Sequence, residues 1–115
     1  MGGVDLDVIM DIDSDRRLCD IHLPAAGRHG SFQHGMLASY VDLMSLALRY
    51  GVPLDEIVER FLGTAFEPAG VTDDPEIPRA KSVVDYLVRR IGLDFLPRAR
   101  QEALGIVEPQ QRALA

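Results

Sequence analysis

A strict two-residue alternation opens the chain and limits its fold more than any other feature. Between residues 5 and 13, apolar and acidic side chains alternate, which is typical of a β-strand with one buried face. One face carries Leu6, Val8, Met10 and Ile12, and the other carries Asp5, Asp7, Asp11 and Asp13 together with Ile9. Ser14 and Asp15 have turn chemistry, and the alternation returns over residues 17–23. The sequence therefore predicts an antiparallel β-hairpin over residues 4–23.

Helical spacing of apolar residues follows the hairpin. It predicts three α-helices, at about residues 32–50, 53–62 and 78–96. Gly51 and Gly63 follow the first two helices and can adopt the left-handed conformation that ends a helix. Tyr40, Phe61 and Tyr86 lie on the apolar stripes, so we expect them to pack in the core. The predicted fold is α+β, with the hairpin packed against three helices in a single domain of residues 1–115.

The second and third helices are joined by a thirteen-residue loop, residues 64–76. Loops of this length within a compact domain are often functional. Asp73 and Asp74 within it indicate turn formation and N-capping of the third helix. In that helix, Asp85 and Arg89 form an i,i+4 pair expected on the polar side. We expect a further helical turn at about residues 100–104 and a frayed tail from about residue 106.

The predicted elements leave backbone groups and apolar surface uncovered. A two-stranded sheet alone is marginally stable in water, and its edges offer unpaired backbone groups. The first helix is apolar around most of its circumference, which is typical of a helix buried on several sides. We therefore expect the fold to be completed by dimerisation. Two hairpins could join into a four-stranded sheet in a homodimer, or the chain could dock on a larger one.

Composition excludes several classes of protein. The net charge of −6 and the pI near 4.9 disfavour nucleic-acid binding, which needs clustered basic side chains. No apolar run approaches the roughly 18–20 residues that span a bilayer, and the acidic start does not resemble a signal peptide. We expect a cytoplasmic protein that binds neither nucleic acid nor membrane. Cys19 is the only cysteine, which excludes an intrachain disulfide and a cysteine-built zinc site.

Several segments resemble, in the same order, the carboxy-terminal region of adenosylcobalamin-dependent (class II) ribonucleotide reductases. These segments are CDIHL at residues 19–23, GRHGS at 27–31, LALRYGVPL at 46–54, FEPAGVTDDPEIP at 66–78 and AKSVVDYL at 80–87. The 66–78 segment and the helix after it are the most specific part. The resemblance covers most of this chain but only a small part of a full-length family member.

The resemblance supports a prediction of the fold more than a prediction of enzymatic activity. The family's chemistry requires a radical-bearing cysteine, a pair of reducing cysteines and a cysteine-bearing tail, and Cys19 matches none of these positions. We therefore predict no catalytic residue, no activity for this chain alone and no cofactor of its own. Adenosylcobalamin is implied only for the full-length family. The candidates for an interaction surface lie in the 66–78 loop: Phe66, Glu67, Pro68, Gly70, Thr72, Asp73 and Asp74.

Metal and anion sites are weaker candidates. His22, His29 and His34 could bind zinc if they converged, but no spacing motif links them. The three alternating aspartates at residues 11, 13 and 15 lack the glycine and glutamate that a calcium loop needs. A glycine-rich segment, residues 27–31, precedes the first helix and could accept an anion, although a tight turn is the simpler interpretation.

Three functions remain open from the sequence. The first is a non-catalytic module that assembles with, or regulates, a ribonucleotide reductase or a related complex. The second is a split or excised part of a ribonucleoside-diphosphate reductase, active in deoxyribonucleotide synthesis only with its missing barrel. The third is a small-ligand or metal-binding protein that uses residues 27–34.

Overall fold

The computed structural model of the chain describes residues 8–23, 32–67 and 69–108. Its fold is α+β, as predicted. In chain order the elements are β1 (Ile9–Ile12), β2 (Leu18–His22), α1 (Phe32–Arg49), α2 (Leu54–Phe61), β3 (Gly70–Val71), β4 (Arg79–Ala80), α3 (Val83–Phe95) and α4 (Arg98–Ala103). The chain forms two compact units that divide after Ile57. We call them the amino-terminal unit and the carboxy-terminal unit.

The amino-terminal unit begins with the predicted hairpin. Strands β1 and β2 pair antiparallel, with Met10 opposite Ile21 and a register shift after Asp11. The Asp13 carboxylate organises the turn, because it accepts hydrogen bonds from the backbone N–H groups of Asp15 (2.8 Å) and Arg17 (2.9 Å). Such side-chain acceptors stabilise tight turns without any metal. Residues 4–7 of the predicted hairpin lie outside the part of the chain that the structure describes.

Helix α1 packs on β2 and gives the hairpin a buried face. Ile21, Val41 and Met44 are almost fully buried at this contact. Full burial of an aliphatic side chain contributes roughly 1.5–3 kcal/mol, so these residues hold the helix on the strand. Helix α1 ends where Gly51 takes a left-handed conformation (φ 88°), which confirms the predicted helix end.

The carboxy-terminal unit is organised around α3. Its core consists of Val58, Ile77, Ala80, Val83, Leu87, Val88 and Ile91. Helix α3 ends before Pro97, and α4 follows directly. Gly92 in α3 lets Ile106 approach, since a β-carbon at that position would lie 2.6 Å from the Ile106 Cδ1 atom. The Ile106 N–H also donates to the Gln101 carbonyl (2.9 Å), so the chain stays ordered past the predicted start of the frayed tail.

Two features of this unit differ from the sequence predictions. Helix α3 begins at Val83 rather than near residue 78, because residues 79–80 are extended and pair with Gly70–Val71. The β3–β4 pairing was not predicted, since two-residue strands are too short to show alternation. Gly63 adopts the left-handed conformation (φ 82°) expected at the end of α2. The single domain of residues 1–115 stays a prediction. In the described ranges, no helix is long and apolar enough to cross a membrane.

Candidate functional site

The loop between α2 and α3 is anchored at the first turn of α3. Ser82 is the N-cap of that helix: its hydroxyl accepts from the Asp85 N–H (3.0 Å) and donates to the Thr64 carbonyl (2.5 Å). An N-cap hydroxyl satisfies one of the amides that a helix start leaves without a partner. The predicted capping by Asp73 or Asp74 is therefore wrong, because Ser82 holds that position.

Asp85 is the central acceptor of this anchor. Its carboxylate accepts from the backbone N–H groups of Gly63 (2.6 Å) and Lys81 (2.8 Å), and from Arg89 Nε (3.0 Å). The Asp85 side chain is only 1% exposed. The predicted pair with Arg89 is present, but its placement on the polar side is wrong, since Asp85 is buried. One carboxylate thus ties the beginning and the end of the loop together.

A second network joins the middle of the loop to α3. The Asp74 carboxylate accepts from the Tyr86 hydroxyl (2.8 Å) and from Arg90 Nη1 (2.8 Å). Arg90 also pairs with Glu76 (3.1 Å) and bidentately with Asp94 (2.8 and 3.2 Å). Tyr86 was predicted as a core residue, but its hydroxyl holds the loop. Charge-assisted bonds of this kind are stronger than neutral ones, so Asp74 and Glu76 are held firmly on α3.

The pKa values of this network follow from its contacts. Burial raises the pKa of Asp74, but the hydrogen bonds from Tyr86 and Arg90 outweigh it and leave the pKa below its ordinary value. Burial and the hydrogen bond to Asp74 raise the pKa of Tyr86 to about 12. The Asp94 carboxylate raises the pKa of Arg90. All three groups keep the charge states that hold the network throughout the neutral range.

The predicted turn chemistry of the loop is confirmed. Asp74 Oδ1 accepts from the Glu76 N–H (2.9 Å), and the Thr72 hydroxyl donates to the Ile77 carbonyl and accepts from the Asp74 N–H (3.1 Å). Gly70 has φ 124°, a conformation that L side chains rarely adopt, and it begins β3. Thr72 and Asp74 therefore act inside the loop, where they set its shape.

Other residues of the loop face outward. Phe66 is 45% exposed and Val71 is 64% exposed, and Glu67 and Asp73 are exposed beside them in the sequence. Pro68 lies outside the described residues. Binding residues often lie on loops that a stable scaffold positions, so these outward side chains are the candidates for contact with a partner. We call Phe66 and Val71 the outer residues of the loop.

A small cleft lies on the other side of the same segment. It is lined by Glu76, Ile77, Pro78, Arg79, Arg89 and Ile106, and its volume is about 240 Å³. Small-molecule sites usually measure roughly 300–1,000 Å³. The cleft is therefore suited to a side chain or a small ion rather than to a cofactor.

The hairpin carries a separate polar cluster that includes one predicted metal candidate. His22 Nδ1 lies 4.0 Å from Asp11 Oδ2 and 3.9 Å from Asp20 Oδ2. A hydrogen bond from Ser45 lowers the pKa of Asp20. Within the described ranges these three side chains are the only group with the spacing of metal ligands. Polar side chains that face each other along and across two paired strands explain the same geometry without a metal.

Of the other two histidine candidates, only His34 lies among the described residues, and it is not part of this cluster. His34 lies in the first turn of α1 and is half-buried, whereas His29 and the 27–31 segment lie outside the described residues. The three-histidine site therefore stays a prediction. Cys19 lies on β2, half-buried, and its thiol donates to the Asp11 carbonyl (3.3 Å).

Sequence reasoning identified the loop but not the residues that hold it. Ser82 and Asp85 have the spacing of a capping box, serine followed three residues later by an acid, and this signal was available. Arg90 and Tyr86 gave no such signal. Their role depends on a loop that returns to α3 from a distance of 12–16 residues.

The fold and the loop define a class of protein. It is a small α+β module with a loop that is held by hydrogen bonds from its own polar side chains and from α3. Comparison with known families is more specific. Residues 2–95 match the TSCPD domain, and the chain belongs to this family.

Relatives named vitamin B12-dependent ribonucleotide reductase confirm the resemblance seen in the sequence. Those from Streptantibioticus cattleyicolor and Streptomyces avermitilis are each 46% identical over 85 residues, which make up 74% of this chain. The relative from Rhodopirellula baltica is 45% identical over 69 residues, or 60% of this chain. The matched region is 14%, 9% and 7% of these three relatives, so the chain spans only a small part of their length. No solved structure matches the chain.

Proposed function

We propose that this chain is a non-catalytic, cytoplasmic module that assembles with a vitamin B12-dependent ribonucleotide reductase or a related chain and regulates it. Two facts support the proposal. The chain matches only a small part of the reductases, and its single cysteine cannot form the reducing pair that such chemistry requires. The partner would then carry the catalytic groups, and this chain would supply a binding surface.

The observation that carries the proposal is the construction of the loop. Asp85 holds its two ends, and Asp74 with Arg90 holds its middle, so these parts of the loop are preorganised for binding. Preorganised surfaces lose less conformational entropy on association than mobile ones. Phe66 and Val71 are the apolar side chains that this rigid loop offers to a partner.

The vitamin B12 cofactor does not fit the cleft beside Ile77 in the described part of the chain. The space between Glu76 and Ile106 measures about 240 Å³, which is below the range for ordinary small-molecule sites, and a corrinoid is larger than most such ligands. We therefore propose that the partner holds the cofactor. No step of the reductase reaction is assigned to residues of this chain.

A binding measurement tests the proposal. The purified Streptomyces coelicolor reductase, one of the 46% identical relatives, serves as the probe, both intact and with its TSCPD region deleted. We expect the chain to bind at least one form in calorimetry, and Phe66→Ser with Val71→Ser to weaken binding at least about tenfold, because apolar anchors dominate such interfaces. Val52→Ser, which removes a third exposed apolar side chain elsewhere, is the matched control. Absence of binding to both forms would contradict the proposal.

The same reagents test the second candidate, a split part of the reductase. The match to only 14% and 9% of two of these reductases favours it. If the deleted reductase is inactive and this chain restores deoxyribonucleotide formation, the chain is a part of the enzyme. Binding that changes the rate of the intact reductase, without such complementation, supports a regulatory module instead.

A further inference from the structure

The outward face of α1 carries a continuous row of exposed side chains. The row consists of Phe32, Met36, Ser39, Leu43, Leu46 and Tyr50, and five of these six are large and apolar. Their exposed fractions are high, for example 64% for Leu43 and 83% for Tyr50. Single exposed apolar residues are common on protein surfaces, but a contiguous apolar row along a whole helix indicates a binding surface. We call this row the α1 seam.

The spacing of the seam indicates what kind of partner it fits. Successive members are separated by 4, 3, 4, 3 and 4 residues, which is the heptad spacing of the a and d positions. This 3.5-residue period keeps side chains in line with a second helix packed at a shallow crossing angle. A helix is therefore a better partner for the seam than a flat sheet or a globular surface.

Two charges beside the seam indicate the direction of that second helix. Asp42 and Arg49 are both exposed and are seven residues apart, so they occupy the same flanking position in successive heptads. In a parallel pair of α1 helices, Asp42 would face position 47, which is an alanine. In an antiparallel pair, equivalent flanks face each other, and Asp42 would lie opposite Arg49 of the second copy. The two-fold axis repeats this ion pair, so both charges are matched.

The size of the seam residues fits the same register. With Asp42 opposite Arg49 of the second copy, Leu43 faces Leu46 and the small Ser39 faces the large Tyr50. Alternation of small and large side chains across a helix pair lets the layers interdigitate. A two-fold contact is also self-complementary and closes after two copies.

We propose that this chain forms a homodimer in which α1 packs antiparallel on α1 of the second copy along the part of the seam from Ser39 to Tyr50. The contact uses the amino-terminal unit and leaves the 66–78 loop for a different partner. It does not depend on reductase binding. It also differs from the sequence-based expectation of hairpins joined edge to edge, which involves β1 and β2 instead.

Charge reversal tests the proposal in sedimentation equilibrium of the full chain over the micromolar range. Asp42→Arg places arginines opposite each other, and Arg49→Asp places aspartates opposite each other. We expect each variant to lower the association constant at least about tenfold, because like charges across an interface are strongly unfavourable. We expect the two variants mixed in equal amounts to associate again, since each then meets its opposite charge. Asp15→Arg, an equal charge reversal in the hairpin turn, should leave self-association unchanged.

Each other outcome overturns the proposal. A chain that stays monomeric at all concentrations has no such dimer. A dimer that neither reversal weakens uses another surface, such as the edges of the hairpin. Circular dichroism of each variant confirms that it is folded, and binding of the Streptomyces coelicolor reductase is measured separately. Self-association tests only the dimer, and reductase binding tests only the proposed function. A failure of one is therefore distinguished from a failure of the other.

Discussion

The two units of this chain are stabilised in different ways. The amino-terminal unit relies on apolar contacts between β2 and α1, with Ser45 as a buried polar link. The carboxy-terminal unit commits Asp74, Asp85 and their cationic partners to hydrogen bonds that shape a loop. Of the ten large apolar residues exposed in the described part of the chain, eight lie before residue 58. Most of the exposed apolar side chains therefore belong to the amino-terminal unit.

The difference shows that two units of one small chain can present different kinds of surface. A unit with few residues cannot cover a long apolar helix by itself, because small domains bury a limited share of their surface. A unit with an internal polar network can instead hold a defined loop. The amino-terminal unit therefore exposes apolar side chains along α1, and the carboxy-terminal unit holds its loop with internal hydrogen bonds.

Removal of Asp85 is expected to have the largest effect. Asp85→Ala leaves the backbone N–H groups of Gly63 and Lys81 without their acceptor and Arg89 without its counter-charge. We expect a loss of about 3–5 kcal/mol in the free energy of unfolding, the range for one partner removed from a buried ion pair. Urea unfolding measures it. Asp73→Ala, an exposed aspartate in the same loop, should change stability by less than about 0.5 kcal/mol. Equal effects of the two variants would show that the network does not stabilise this unit.

Ser45→Ala tests the polar link of the amino-terminal unit. The Ser45 hydroxyl accepts from the Ile21 N–H (2.8 Å) and donates to Asp20, and Ser45 is almost fully buried. We expect a loss of about 0.5–1.5 kcal/mol, since the Ile21 N–H loses one of its two acceptors and keeps only Asp20 (3.0 Å). NMR titration should also show a higher pKa for Asp20, because the Ser45 hydrogen bond is the main cause of its lowering. An unchanged Asp20 pKa would contradict this assignment. Ser39→Ala, an exposed serine of the same helix, is the control.

The pH dependence of the loop network has a defined sign. The folded-state pKa of Asp74 is below its unfolded value of about 3.9, so ionised Asp74 stabilises the protein above that pH. This contribution is lost as the pH falls from about 4 through the folded-state pKa. We expect Asp74→Asn to be less stable at neutral pH and to lose stability less steeply in acid. Unfolding measured from neutral pH downward checks this, and parallel acid profiles of the two proteins would refute it.

The smallest change in stability is expected on the α1 seam. Leu43→Ser alters an exposed side chain, so the free energy of unfolding of the monomer should change by less than about 0.5 kcal/mol. The matched variant Met44→Ser, at the buried neighbour, should destabilise the unit by about 2–5 kcal/mol. Urea unfolding at concentrations below dimer formation gives both values. A large effect of Leu43→Ser would mean that the seam is covered within the monomer.

Local patterns predicted much of the fold. The hairpin follows from period-two alternation, and the ends of α1 and α2 follow from Gly51 and Gly63, whose left-handed conformations the structure shows. The start of α3 was placed too early because residues 79–80 pair with Gly70–Val71 and the Lys81 N–H donates to Asp85. Such tertiary hydrogen bonds override a weak local helical preference.

The loop was recognised as a candidate site from its length and its resemblance to the reductases. The hydrogen bonds that hold it were not predicted. Phe66 and Val71 are exposed because Thr72, Asp74 and the anchor at Asp85 turn the loop back on α3. No spacing rule links Asp74 to Arg90, sixteen residues away. The sequence alone determined the hairpin, the apolar helices and the family relationship, since these depend on periodicity and residue order. Only the tertiary structure decided which carboxylates are buried and which apolar side chains face solvent, because burial depends on contacts between distant segments.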